Sequence, residues 1–123
     1  MLRKLAVGTM AAVSLAAMGM ATPARADIDA AFGNTVVSRY SDGGWVKHWF
    51  NPDGSYSAQF SDGRRLSARW SVKGERVCLS NIRPSMLIPR FCTTMIEADV
   101  GETWQSRDPL GRRVQNVLMA GRD

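Results

Sequence analysis

The chain has 123 residues, with 16 Lys or Arg against 11 Asp or Glu, one His and two Cys, and a formal net charge of +5. That length allows one ordinary domain. One histidine and two cysteines are too few for a zinc site, and the positive surplus shrinks once the N-terminus is set aside, so it makes no case for nucleic acid.

Residues 1–26 read as a cleaved signal peptide. Arg3 and Lys4 precede an apolar run from Leu5 to Ala21, Pro23 breaks it, and Ala24-Arg25-Ala26 supplies the small-x-small pattern of a signal peptidase site. The run is a little short for a spanning helix, which needs about 20 apolar residues. Absence of a cysteine near the cut argues against a lipid anchor, and Arg3-Lys4 is not a twin-arginine pair. The expected product is a periplasmic or secreted chain, cut near Ala26, with no stable membrane insertion. Arg3, Lys4 and Arg25 leave with the signal, so 13 basic residues (16 minus 3) face 11 acidic ones and the net charge falls to about +2.

Residues 27–123 then form a single β domain. After a short arm, 27–32, turn chemistry recurs at close intervals: Ser41-Asp42-Gly43-Gly44, Asn51-Pro52-Asp53-Gly54, Ser61-Asp62-Gly63, Lys73-Gly74, Asp99-Val100-Gly101 and Asp108-Pro109-Leu110-Gly111. In Asn-Pro-Asp-Gly, Pro52 presets a type I turn and Gly54 takes the left-handed position that opens a G1 bulge; Asp108-Pro109-Leu110-Gly111 has the same plan. Eight strands are predicted between the turns, at 34–40, 45–50, 55–60, 65–72, 76–80, 90–98, 103–107 and 112–119. Period-two alternation is plainest in Tyr56, Ala58, Phe60 and in Leu66, Ala68, Trp70, Val72, each set interleaved with polar residues. Such spacing predicts an all-β, antiparallel up-and-down meander that curls into a small closed or nearly closed barrel, with a curled open sheet or a sandwich as alternatives. Arg69, Lys73, Arg76 and Arg107 at mid-wall positions argue against an outer-membrane barrel.

An exported chain with an even cysteine count pairs them, so a Cys78–Cys92 disulfide is expected. Placing the two opposite each other sets Leu79 against Phe91 and Val77 against Thr93 on the more apolar face. The longest connection, 81–89, carries Met86, Leu87 and Ile88, which either cap one end of the barrel or contact a partner.

The pattern Phe50-x-x-Asp53-Gly54-Ser55-Tyr56, then Ala68-Arg69-Trp70-Ser71-Val72-Lys73-Gly74-x-x-x-Cys78 and a second cysteine, resembles a group of small secreted bacterial β-meander proteins of unknown function. The likeness spans about 45 residues; Ala68 departs from it, because that position is often Gly in the group. It implies a signal peptide and a meander and no particular chemistry. A looser likeness links the chain to single-disulfide eight-stranded barrels that inhibit secreted metalloproteases, although those hold their cysteines elsewhere in the barrel.

No motif fixes a reaction. His48 has no nucleophile frame around it and reads as a strand residue on a half-wet face. Asp42, Asp53 and Asp62 each precede a turn glycine and are explained by turn chemistry rather than by metal. Trp70 reads as core. Trp45 and Trp49 share a strand face with Lys47 between them, and Tyr56 lies across the next turn, an aromatic group suited to a sugar, a peptide or a planar ligand. Arg64-Arg65 and Arg112-Arg113 are basic pairs at turn edges that suit either an anionic envelope surface or protection of sheet edges. The expectation is therefore a non-enzymatic binding or interaction module without cofactor or metal. Its partner would be an envelope protein or a small apolar or sugar ligand, met through Trp45, Trp49 and Tyr56 or through Met86, Leu87 and Ile88. The alternative is an inhibitor of a secreted hydrolase that presents the 27–32 arm or the 81–89 loop.

Overall fold

The computed structural model describes residues 28–85 and 88–122; the signal-peptide reading, Met86 and Leu87 fall outside them. Eight strands follow a 3-10 turn at Asp29–Ala31: β1 Thr35–Arg39, β2 Trp45–Phe50, β3 Ser55–Phe60, β4 Arg65–Lys73, β5 Arg76–Arg83, β6 Phe91–Thr94, β7 Thr103–Arg107 and β8 Arg113–Met119. They make one antiparallel sheet in the order β6-β5-β4-β3-β2-β1-β8-β7. The first strand therefore pairs with the last, Val36 opposite Leu118 and Ser38 opposite Asn116. The sheet curls into a nearly closed barrel whose seam lies between β6 and β7, where the described residues form no ladder.

Four hairpins use one turn design. Gly43, Gly54, Gly63 and Gly111 all have φ between +84° and +95°, and each donates its N–H to the residue three back: Tyr40, Asn51, Phe60 and Asp108. These are type I turns closed by a left-handed glycine. In three of them the residue before the glycine is aspartate, and its Oδ1 accepts the N–H two residues on (Asp42 from Gly44, Asp53 from Ser55, Asp62 from Arg64). Those bonds hold the Asp42 and Asp62 carboxyls below the usual range, and for Asp53 the Ser55 hydroxyl, which also donates to Oδ1, does so first and the Ser55 N–H second. Gly54 is constrained twice, because a Cβ there would also sit 2.7 Å from the Arg69 guanidinium.

The disulfide forms in the expected register, Cys78 opposite Cys92 with Cα atoms 4.0 Å apart, Leu79 opposite Phe91 and Val77 opposite Thr93. Two strand boundaries differ from expectation. β5 continues past Ser80 to Arg83 through a bulge, with Asn81 at φ 52° and the pairing slipping from Arg69–Ser80 to Ser67–Arg83. The extra residue reverses the phase, so that Ile82 turns inward after Val77 and Leu79. β6 stops at Thr94, and Met95 and Ile96, both buried, follow it outside the ladder.

One end of the barrel is filled. Ile28 and Leu118 are fully buried there, joined by Ala31, Phe50, Tyr56 and Trp70. Trp70 lies 5.8 Å from the ring of Phe32 and 6.2 Å from that of Phe50, and its indole N–H donates to the Asn51 carbonyl at 2.8 Å. The 28–32 segment is thus part of the floor.

Truncating Trp70 to Ala empties that floor and removes one of the two hydrogen bonds to the Asn51 carbonyl, which keeps the Gly54 N–H, so it is expected to cost about 3–5 kcal/mol; a urea midpoint equal to that of the parent would refute the assignment. Replacing both cysteines by Ser should cost about 3 kcal/mol for a ring of this length, with the β-type circular dichroism retained at low temperature.

Candidate functional site

Even-numbered residues of β1 to β4 and β8, and the bulge-corrected positions of β5, point inward. They surround a cavity of about 730 Å³ lined mainly by apolar side chains, among them Val36, Val46, Phe60, Leu66, Leu79 and Ile82. That volume lies within the usual span for small-molecule sites, about 300–1,000 Å³. The floor described above closes one end. At the other end the cavity reaches the β1–β2, β3–β4, β5–β6 and β7–β8 connections, where Asp42, Arg64, Pro84, Ile88, Leu110 and Arg112 line the mouth.

A belt of uncharged polar groups crosses the inner wall on five adjacent strands. The Ser38 hydroxyl donates to Asn116 Oδ1, and the Asn116 amide donates to Ser106 Oγ at 2.9 Å. Ser38 has one proton, already given to Asn116, so the 2.9 Å contact between Ser38 Oγ and His48 Nε2 requires the histidine to donate. His48 is then neutral with its proton on Nε2, and Nδ1 accepts from the Tyr56 hydroxyl at 2.6 Å. Every donor in the belt points one way, from Tyr56 through His48, Ser38 and Asn116 to Ser106, whose own hydroxyl proton is left for the cavity. Burial pushes the His48 pKa down to about 4 and raises that of Tyr56.

At the mouth the Tyr40 hydroxyl donates to Asp108 Oδ2 at 2.9 Å, and the Arg112 guanidinium stacks 4.4 Å from the Tyr40 ring while meeting Asp42 at 3.3 Å. Burial first, and then the bond to Asp108, pushes the Tyr40 pKa up to about 12. Arg64 repeats the motif, 4.7 Å from the ring of Phe60 and 2.8 Å from Asp62.

Trp45 and Trp49 share one phase of β2, as expected, and Trp45 and Tyr56 both border the cavity. Phe50 pairs with Tyr56 and Trp49 with Ser57, so Tyr56 points into the barrel while Trp45 and Trp49 stand on the outer phase of β2. Lys47 covers the Trp45 ring at 5.2 Å, and the Trp49 indole donates to Thr35 Oγ1 at 2.9 Å. His48 stands on the cavity side of β2 as a half-buried member of the belt. Ile88 borders the mouth as the loop reading allows. Sequence reasoning overlooked Ser38, Ser106 and Asn116. The signal was their phase: Ser38 and Asn116 stand in step with Val36 and with Val114 and Leu118, so each is a polar residue at an apolar beat.

Comparison with protein-family profiles, with curated proteins and with solved structures gives no match. The site is therefore interpreted from its own geometry.

His48 sets a pH dependence. Its folded pKa, about 4, lies below the unfolded value of 6.5, so between those pH values the unfolded chain binds more protons and stability falls as pH falls. The loss is expected to begin near pH 6.5 and to reach at most about 3 kcal/mol near pH 4. Urea titrations from pH 7 to 4 should show this slope in the parent and a flattened one in His48→Gln; equal slopes would remove His48 as the cause.

Proposed function

We propose that the protein is a non-enzymatic binding protein that holds a small, largely apolar molecule inside the barrel, in the periplasm or outside the cell. The observation that carries this reading is the hollow interior, closed at the floor and open at one end. The formed Cys78–Cys92 bond supports an oxidising compartment, in keeping with the signal-peptide reading and with the likeness to small exported meander proteins. The belt adds selectivity: it offers a neutral guest one hydroxyl donor at Ser106 and acceptor lone pairs at Tyr56, and it puts no charge at depth. An ionised group buried there would lack a counter-charge, so the guest's interior portion is neutral.

The Ser38–His48 contact invites an enzyme reading, and its geometry favours binding instead. Ser38 gives its proton to Asn116, His48 Nε2 is occupied by a proton, and no carboxylate orients Nδ1. A serine nucleophile needs the reverse arrangement, with a base free to take the hydroxyl proton. The arm considered for an inhibitor packs into the floor, with Ile28 and Ala31 buried.

Uptake of the neutral fluorophore N-phenyl-1-naphthylamine by the purified mature chain tests the proposal. Leu66→Trp adds bulk where the cavity has room, and it should keep the parent's circular dichroism while weakening uptake by about tenfold, the loss of a well-buried contact patch. No uptake by the parent, or uptake indifferent to Leu66→Trp, would overturn it. Ester turnover abolished by Ser38→Ala would replace it with the enzyme reading, and co-purification of a stoichiometric secreted hydrolase with the inhibitor reading.

A further inference from the structure

The fold separates charges that the sequence mixes. Strand direction places Arg39, Arg64, Arg65, Arg83, Arg90, Arg107, Arg112 and Arg113 at the mouth end, with only Asp42, Asp62 and Asp108 beside them. Eight positive and three negative charges leave the mouth near +5 (8 minus 3). The floor end holds Asp29, Asp53, Glu75, Glu97, Asp99 and Glu102 against Arg69, Lys73, Arg76 and Arg122, near −2 (4 minus 6). Among the described residues, ion pairs engage only Arg64 and Arg112 of the mouth arginines.

The same end carries the most exposed large apolar side chain among the described residues, Leu110 at 78%. Its position is informative. In the three sister turns the residue before the left-handed glycine is aspartate, bonded to the backbone two residues on; in the β7–β8 turn that place is Leu110, and Asp108 accepts the Leu110 and Arg112 N–H groups instead. Turn chemistry therefore does not call for leucine here, and Leu110 leaves an apolar tip in water in the turn that also carries Arg107, Arg112 and Arg113.

We infer that the mouth end docks on an anionic phospholipid surface, with the arginines on the headgroups and Leu110 dipping among the uppermost acyl carbons. The binding is peripheral and leaves the strands out of the bilayer. A cationic rim with an apolar tip suits a charged interface with hydrocarbon beneath it, whereas a soluble polyanion would have no use for the tip. The acidic floor is turned away by the same field, so the open end faces the membrane and an apolar guest can pass between bilayer and barrel without crossing water.

Cosedimentation of the mature protein with vesicles of mixed phosphatidylglycerol and phosphatidylcholine tests this, with pure phosphatidylcholine vesicles for comparison. Binding is expected to the anionic vesicles only and to weaken with added salt. Arg65→Gln with Arg113→Gln should weaken it by about 25-fold, from about fivefold per arginine near a charged surface. Leu110→Asp restores the sister-turn residue and so spares the fold; it should weaken binding several-fold, while Lys73→Gln with Arg76→Gln at the floor should leave it unchanged. Absence of binding to the anionic vesicles, equal loss from mouth and floor variants, or capture by polyphosphate with indifference to vesicles would overturn the inference. Vesicle binding is measured on the empty barrel, so it fails or holds separately from fluorophore uptake.

Discussion

The pairing of β1 with both β2 and β8 is the constraint on which the rest depends. Five residues of β1 carry the ladder that joins the first part of the chain to its last strand. Without it the meander would be an open ribbon with an apolar face against water. Three of those five, Val36, Val37 and Ser38, are buried hydrophobes or belt members, and Thr35 is buried under the Trp49 indole. The short length of β1 is offset by the fact that both of its edges are paired, which leaves no backbone donor or acceptor of this strand seeking another chain.

The belt follows from that closure. Its members sit on β3, β2, β1, β8 and β7, so it runs unbroken only while β1 bridges the two sides. A serine, a histidine and an asparagine inside an apolar barrel would each cost about 1–3 kcal/mol if left unpaired. Linked donor to acceptor they lose that penalty, and they tie the register of four strand pairs to a single hydrogen-bond direction. A slip by one residue anywhere along these strands would carry the polar groups outside and set Val37 or Lys47 inward. The belt therefore argues for one register over its neighbours, which uniform apolar packing would leave less sharply defined.

Much of this was legible from the chain alone, because short strands with strong turns leave little freedom. The Asp-Gly and Pro-Leu-Gly turns fixed the hairpins, and the cysteine register followed from matching apolar faces. What escaped the alternation rule did so where the alternation itself breaks. The Asn81 bulge shifts the inward phase from odd to even within one strand, and no local residue pattern announces that. The end of β6 depends on a seam with β7 that only the closed sheet defines. The relation of Trp45, Trp49 and Tyr56 needed phase as well as nearness across a hairpin, because pairing sets Tyr56 opposite Phe50 rather than opposite Trp49. The same test of phase, applied to Ser38, His48 and Asn116, would have placed all three indoors.

The charge pattern shows the opposite limit. A net of about +2 over residues 27–123 reads as unremarkable, and correctly so as a sum. Yet the mouth and the floor differ by about seven charges across one small domain, since +5 and −2 have been averaged. In an up-and-down meander every second connection comes to the same end, so the composition of alternate turns, and not of the whole chain, decides the field at each pole. Arg64-Arg65, Arg83, Arg90 and Arg112-Arg113 occupy the second, third and fourth connections on the open side or the strand ends beside them, while Glu75, Asp99 and Glu102 occupy those of the closed side. The two poles thus differ in access as well as in sign, and an electrostatic torque that orients the barrel also decides which way its cavity faces.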